Sequence, residues 1–174
     1  KKMLYANPEF SHYLLQNITD ATIAYLNMQI AAGVDIIQIF DSWAGILSPE
    51  SYEQFSAKYI NQIAAAIQQV PVIVFAKDAH YALPLWHHEQ VDVVGLEWTM
   101  DIQSARQQLP NTTLQGNLDP CVLYANKNTI EWHINKMLEA FGTQKYIANL
   151  GHGVYPDIPW ENVKHYIDVV KRHR

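Results

Sequence analysis

Five short apolar runs rich in β-branched residues, each followed by a stretch that reads as a helix, leave few folds open to this chain. The runs are residues 34–40, 71–75, 91–96, 112–115 and 146–150. The intervening segments carry helix signals. Ser48-Pro49-Glu50 reads as an N-cap, a first-turn proline and an early acid, followed by Tyr52, Phe55, Tyr59, Ile63 and Ile67 at helical spacing. The other segments place helices over about 83–88, 101–109, 129–141 and 160–171, and a helix from Pro8 to the stop at Gly33 opens the chain. Strands that alternate with crossover helices all run in the same direction, so the sheet is parallel and buried on both faces. An open doubly wound sheet and part of a (β/α)8 barrel both satisfy this pattern. No Gly-x-Gly-x-x-Gly or phosphate-loop pattern follows any of the runs. Five strands do not close an eight-stranded barrel, so the expectation is a single partial domain over residues 1–174, the C-terminal portion of a larger barrel whose N-terminal part is absent.

Composition narrows the function classes. Half of the 174 residues are apolar, which suits a packed core. No apolar run approaches the roughly 20 residues of a spanning helix, and Lys1-Lys2 leads into the polar Tyr5-Ala6-Asn7, so the expectation is neither a membrane protein nor a secreted one. One cysteine, Cys121, excludes an internal disulfide framework and fits a reducing compartment, hence cytoplasmic. A net charge of −5 with scattered cations offers no stripe for nucleic acid.

In a parallel α/β protein the strand exits form the functional face. The last run ends in Gly151-His152-Gly153, where glycine permits positive φ or close backbone approach and an imidazole stands with little bulk around it. The first ends in Asp41-Ser42-Trp43-Ala44-Gly45, again polar residues and a glycine. Lys77 and Asp78 follow the second run, where a mutual pair or a loop contact is the plainer reading of two adjacent charges. Asp119 before Pro120 reads as a turn former and helix cap. His80, His87 and His88 cluster in sequence, with His80 and His87 about two helical turns apart, which makes a metal face conceivable; the site assigned here includes no metal.

The strings Ile39-Phe40-Asp41-Ser42-Trp43-Ala44-Gly45, Phe75-Ala76-Lys77-Asp78, Val94-Gly95-Leu96-Glu97-Trp98, Leu114-Gln115-Gly116-Asn117-Leu118-Asp119-Pro120 and Asn149-Leu150-Gly151-His152-Gly153 together resemble the uroporphyrinogen decarboxylase family, in order and in spacing. The resemblance covers essentially the whole chain. It implies a (β/α)8 TIM barrel of which this chain forms about five βα units, and a carboxy-lyase that removes the four acetate carboxyl groups of uroporphyrinogen to give coproporphyrinogen in haem biosynthesis, without metal or organic cofactor. It further implies a cytoplasmic homodimer acting on a tetrapyrrole substrate. By the same resemblance, Ser42 and His152 align with the substrate-contacting hydroxyl and histidine positions. The family's arginine-rich motif, its pyrrole-binding aspartate and its tyrosine have no counterpart here, so the site residues in this chain bind rather than catalyse and the chain alone is expected to be inactive. Glu97 replaces the aspartate usual in its motif. Asp41 lies beside the site but would repel a polyanion unless protonated or paired, and is left out of it.

A charge argument runs parallel to the resemblance. A polycarboxylate needs fixed cations, best supplied as guanidinium forks. The arginines are Arg106, within a helix, and Arg172 and Arg174 at the tail; Lys77 is the cation at a strand exit. Two other readings remain. The first is a related corrinoid or thiol methyltransferase barrel, whose His-x-Cys zinc pattern is missing from this sequence; the second is a non-catalytic fragment that self-associates through open sheet edges.

Overall fold

The computed structural model describes residues 1–86 and 89–173. Helix α1 (Lys2–Ala6) and helix α2 (Pro8–Ala31) take the place of one opening helix. The break falls at Asn7, because Pro8 lacks an N–H and the Asn7 side chain accepts from the Phe10 N–H at 3.1 Å, which starts a new helix there. Then follow β1 (Ile37–Asp41), α3 (Pro49–Tyr52), a π-helical turn (Glu53–Ala57), α4 (Lys58–Ala66), β2 (Val72–Ala76), a 3-10 helix (His80–Trp86), β3 (Val93–Gly95), α5 (Ile102–Gln108), β4 (Thr113–Leu118), a 3-10 helix (Pro120–Tyr124), α6 (Lys127–Phe141), β5 (Tyr146–Leu150) and α7 (Trp160–Arg172). The strands form one sheet in the order β1-β2-β3-β4-β5, with β1–β2 and β4–β5 parallel. Strands laid down in sequence order, without the reversal that marks a doubly wound sheet, decide between the two architectures in favour of the barrel.

Two compact units divide the chain, Lys1–Val94 and the residues from Gly95 onward. In the first, Val72, Ile73, Val74 and Phe75 of β2 are all buried, as a strand covered on both faces requires. β1 pairs with it from Ile37↔Val72 to Asp41↔Ala76. Tyr52 fills the core edge-on to Tyr81 (5.8 Å) and Trp86 (6.1 Å). Helix α2 lays one flank on the π-turn and α4: the His12 ring stacks on Phe55 at 4.6 Å, and its Nδ1 meets the Tyr59 hydroxyl at 2.7 Å. On another flank Phe10, Leu14, Ile18, Tyr25 and Met28 are exposed. Their spacing puts all five within about a quarter of the helix circumference.

The second unit is built on β4 and β5, in register from Leu114↔Tyr146 to Leu118↔Leu150. Ile130, Ile134, Met137 and Phe141 make one buried stripe on α6, at helical spacing. Phe141 stacks on Tyr146 at 4.0 Å, and the Tyr146 hydroxyl donates to the Gly116 carbonyl at 2.6 Å. Arg106 fixes the opposite end of these strands, donating to the carbonyls of Thr112 (2.8 Å) and Lys145 (3.0 Å), the residues just before β4 and β5.

Several boundaries differ from the sequence expectation. β1 starts at Ile37 rather than Val34, since Val34, Asp35 and Ile36 stand in water after the Gly33 stop. β4 runs on to Leu118, because β5 supplies ladder partners for Gly116, Asn117 and Leu118, whose composition alone suggests a turn. The short helix expected at 83–88 is a 3-10 turn beginning at His80; His87 and His88 lie outside the described residues. Among the described residues no helix is long and apolar enough to cross a membrane.

Candidate functional site

Ser42 belongs to the first unit and His152 to the second, and each stands just past the end of a strand, in its own unit's exit loop. Alternation along β1 sorts the residues around Ser42. Asp41 accepts a hydrogen bond from the Ser56 hydroxyl in the π-turn, so it points to the helix side; Gln38, Phe40 and Ser42, out of phase with it, take the other face. Phe40 is 64% exposed there, edge-on to Phe75 at 6.0 Å. An apolar ring therefore stands exposed on the same face as the Ser42 hydroxyl.

The Ser42 loop is held by backbone and by one phenol. The Lys77 N–H donates to the Asp41 carbonyl and the Gly45 N–H to the Lys77 carbonyl, both at 3.0 Å. The Tyr81 hydroxyl lies 2.9 Å from the Leu47 carbonyl and 3.3 Å from that of Ala44. Gly45 is required: a Cβ there would fall 2.3 Å from the Asp78 Cβ. Burial, and after it the Asp41 charge, pushes both the Tyr52 and the Tyr81 phenols above their ordinary pKa. Asp41 is hydrogen-bonded by the Ser56 hydroxyl on the helix side of β1. Lys77 and Asp78 form an ion pair at 2.9 Å.

In the second unit the Gly-His-Gly turn uses its two glycines differently. Gly151 is buried, donates to the Leu118 carbonyl at 2.8 Å, and runs so close to the exit of β3 that a Cβ on it would lie 2.3 Å from the Trp98 nitrogen. Gly153 has nothing within 4 Å of such a Cβ, and neither residue takes a positive φ. Close approach, not left-handed backbone, is what the turn needs. His152 is exposed, and its ring meets that of Trp98 at 5.9 Å and 88°. Glu97 beside it is 3% exposed, a buried carboxylate rather than one offered to a ligand. Asp119 does what its position before proline suggests, accepting from the Cys121 N–H at 2.8 Å as the cap of the 3-10 turn.

A family model described as "Uroporphyrinogen decarboxylase (URO-D)" matches residues 1–173. The chain belongs to the uroporphyrinogen decarboxylase family. A uroporphyrinogen decarboxylase from Christiangramia forsetii is 44% identical over 176 residues, which cover 100% of this chain and 52% of the relative. The one from Flavobacterium johnsoniae is 46% identical over 175 residues (99% and 51%), and the human one 44% identical over 183 residues (99% and 50%). The chain spans about half the length of the curated relatives it matches. Among solved structures, a methyltransferase from Methanosarcina mazei superposes with a TM-score of 0.78, at 22% identity, over 89% of this chain and 47% of that one. At that identity the likeness shows the fold alone.

Ser42 and His152 stand in motifs that sequence reading singles out, and the structure places each just past a strand end. Phe40, Tyr81 and Trp98 carry no such local signal, although Gln38 interrupting an apolar run hints that alternate β1 residues face something other than core.

Proposed function

We propose that this chain is part of a uroporphyrinogen decarboxylase, a carboxy-lyase that removes the four acetate carboxyl groups of uroporphyrinogen to give coproporphyrinogen in tetrapyrrole biosynthesis. The observation that carries the reading is family membership over residues 1–173, with a hydroxyl and an imidazole at strand exits as the family resemblance requires. Ser42 and His152 take the polar arms of the macrocycle and Phe40 lies against its flat face. Loss of CO2 leaves an electron pair, which the protonated pyrrole ring accepts, and a proton then reaches the carbon that held the carboxyl group. The groups that neutralise the substrate's carboxylates come from outside this chain. Arg106 spends its guanidinium on strand-entrance carbonyls, and Lys77 is paired with Asp78. The same family resemblance supports a single partial barrel domain here and a cytoplasmic homodimer for the whole protein.

The methyltransferase reading gains nothing from Cys121. Desolvation, and then the Asp119 carboxylate, holds its thiol above the ordinary value, the opposite of what a thiolate metal ligand needs.

The test is His152→Ala in the full-length enzyme, with the four successive decarboxylations followed separately. A loss of about tenfold or more in kcat/KM on at least one step is expected for a lost polar contact to a charged arm. Unchanged kinetics at every step would remove His152 from the site. The 174-residue chain by itself is expected to be inactive, and turnover by it would show that the carboxylate-holding groups lie within this chain after all.

A further inference from the structure

Ser42 is exposed, and among the described residues none hydrogen-bonds its hydroxyl. Its position is therefore inherited from the loop that carries it. That loop runs from the end of β1 to Ser48, whose hydroxyl accepts from the Ser51 N–H at 3.3 Å and caps α3. Its middle is held by the buried Ala44, by the Gly45 N–H on the Lys77 carbonyl at 3.0 Å, and by Tyr81. Tyr81 stands in the 3-10 helix after β2 and brings its hydroxyl to 2.9 Å from the Leu47 carbonyl and 3.3 Å from that of Ala44. Those carbonyls bracket the single 3-10 turn Ala44–Ile46 in the middle of the loop, so one phenolic proton spans the whole turn. Lys1 Nζ also reaches a loop carbonyl, Ile46 at 2.7 Å, but that contact is exposed and water replaces it at little cost. The Tyr81 ring is set edge-on to the buried Tyr52 at 5.8 Å, which presents the hydroxyl from a packed base. Burial, and after it the Asp41 charge, keeps the phenol protonated and hence a donor.

We propose that Tyr81 is a positioning residue for the candidate site: its hydroxyl pins the loop after β1 and so presents Ser42 to a polar arm of the substrate. The role rests on the reading of Ser42 as a substrate contact. Without the phenolic proton the backbone from Ser42 to Leu47 samples more arrangements, and a substrate has to order it on binding. That cost falls on binding, and so on KM. Tyr81 touches the loop rather than the reacting atoms, so kcat per folded molecule is kept. A merely structural role has the opposite signature, because fewer folded molecules lower the apparent kcat and leave KM where it was.

The experiment makes Tyr81→Phe, Ser42→Ala and the double variant in the full-length enzyme. Tyr81→Phe keeps the ring against Tyr52 and removes the hydroxyl alone. Amide hydrogen exchange is followed on the peptide covering residues 42–48, with that covering residues 37–41 as the internal control. Exchange of the loop is expected to quicken about three- to tenfold in Tyr81→Phe, the scale of one neutral hydrogen bond, while the strand is unchanged. Steady-state kinetics of the first decarboxylation are expected to show KM raised by a similar factor and kcat within about twofold. In the Ser42→Ala background the same substitution should leave KM unmoved, because the group being positioned is gone. Unchanged loop exchange would overturn the proposal, and so would an effect on KM of equal size in both backgrounds. Faster loop exchange together with a Ser42→Ala variant of unaltered kinetics would remove Ser42 from the reaction, and the role of Tyr81 in it, while leaving the phenol as the pin of the loop.

Discussion

Replacing Gly151 by alanine sets a methyl carbon 2.3 Å from the Trp98 nitrogen and 2.9 Å from the Glu97 carbonyl carbon. Both neighbours are main chain, so no rotamer change relieves the overlap. The β5 exit has to retreat by roughly an ångström, against the 2.8 Å hydrogen bond from Gly151 to the Leu118 carbonyl. Overpacking of this kind costs about 2–3 kcal/mol. At about 2–4 °C per kcal/mol for a chain of this length, Tm falls by about 4–12 °C. Gly153→Ala is the control within the same turn. Its methyl meets nothing within 4 Å and its backbone is ordinary, so stability stays within about 0.5 kcal/mol. Thermal unfolding of the two variants by circular dichroism, at one protein concentration, makes the comparison. Equal Tm shifts for the two glycines would refute the claim that close approach to the β3 exit, rather than flexibility of the turn, is what position 151 demands.

The tether at the strand entrances and the buried phenols give two further expectations. Arg106→Lys keeps the charge but loses the planar fork that reaches the Thr112 and Lys145 carbonyls together, so urea unfolding should show a loss of about 1–2 kcal/mol; a lysine variant as stable as the parent would mean that the fork is idle. Burial raises the Tyr52, Tyr146 and Tyr166 hydroxyls far above the ordinary value, and the hydrogen bond to Asp157 pushes Tyr124 up to about 12. A raised folded pKa means the protonated phenol is the better bound form, so this stabilisation is complete below about pH 10 and is lost as the pH climbs towards the folded values. Phenolate absorbance from these four should therefore rise only above about pH 10, with that of the three buried residues accompanying unfolding. Their full ionisation at about pH 10.5 with the far-ultraviolet dichroism intact would contradict it.

How far the sequence reveals this molecule depends on the reach of each interaction. β5 is readable to the residue, because its apolar run is bounded by Lys145 and Gly151 within the local string. β4 is not, since Gly116 and Asn117 look like a turn until a second strand offers them partners. The π-turn at Glu53–Ala57 sits inside a plain helical pattern; the contacts visible at that turn join Ser56 to Asp41 and Phe55 to His12, both far back in the chain. The same limit applies at the site. Ser42 and His152 stand in recognisable motifs, yet nothing local separates Gly151 from Gly153, because what distinguishes them is the backbone at Trp98. Asp41 is ambiguous in one dimension and settled in three, by the hydroxyl that meets it.

Helix α2 spends one apolar flank on α4 and leaves Phe10, Leu14, Ile18, Tyr25 and Met28 as a ladder in open water. A chain built this way behaves as a weak surfactant. Excluded salts such as ammonium sulfate, which strengthen the burial of apolar area, bring it out of solution early, and a phenyl-bearing column retains it despite its net charge of −5. Ile18→Lys with Met28→Glu is a minimal edit that turns the ladder into an ordinary wet surface, and it touches no strand exit.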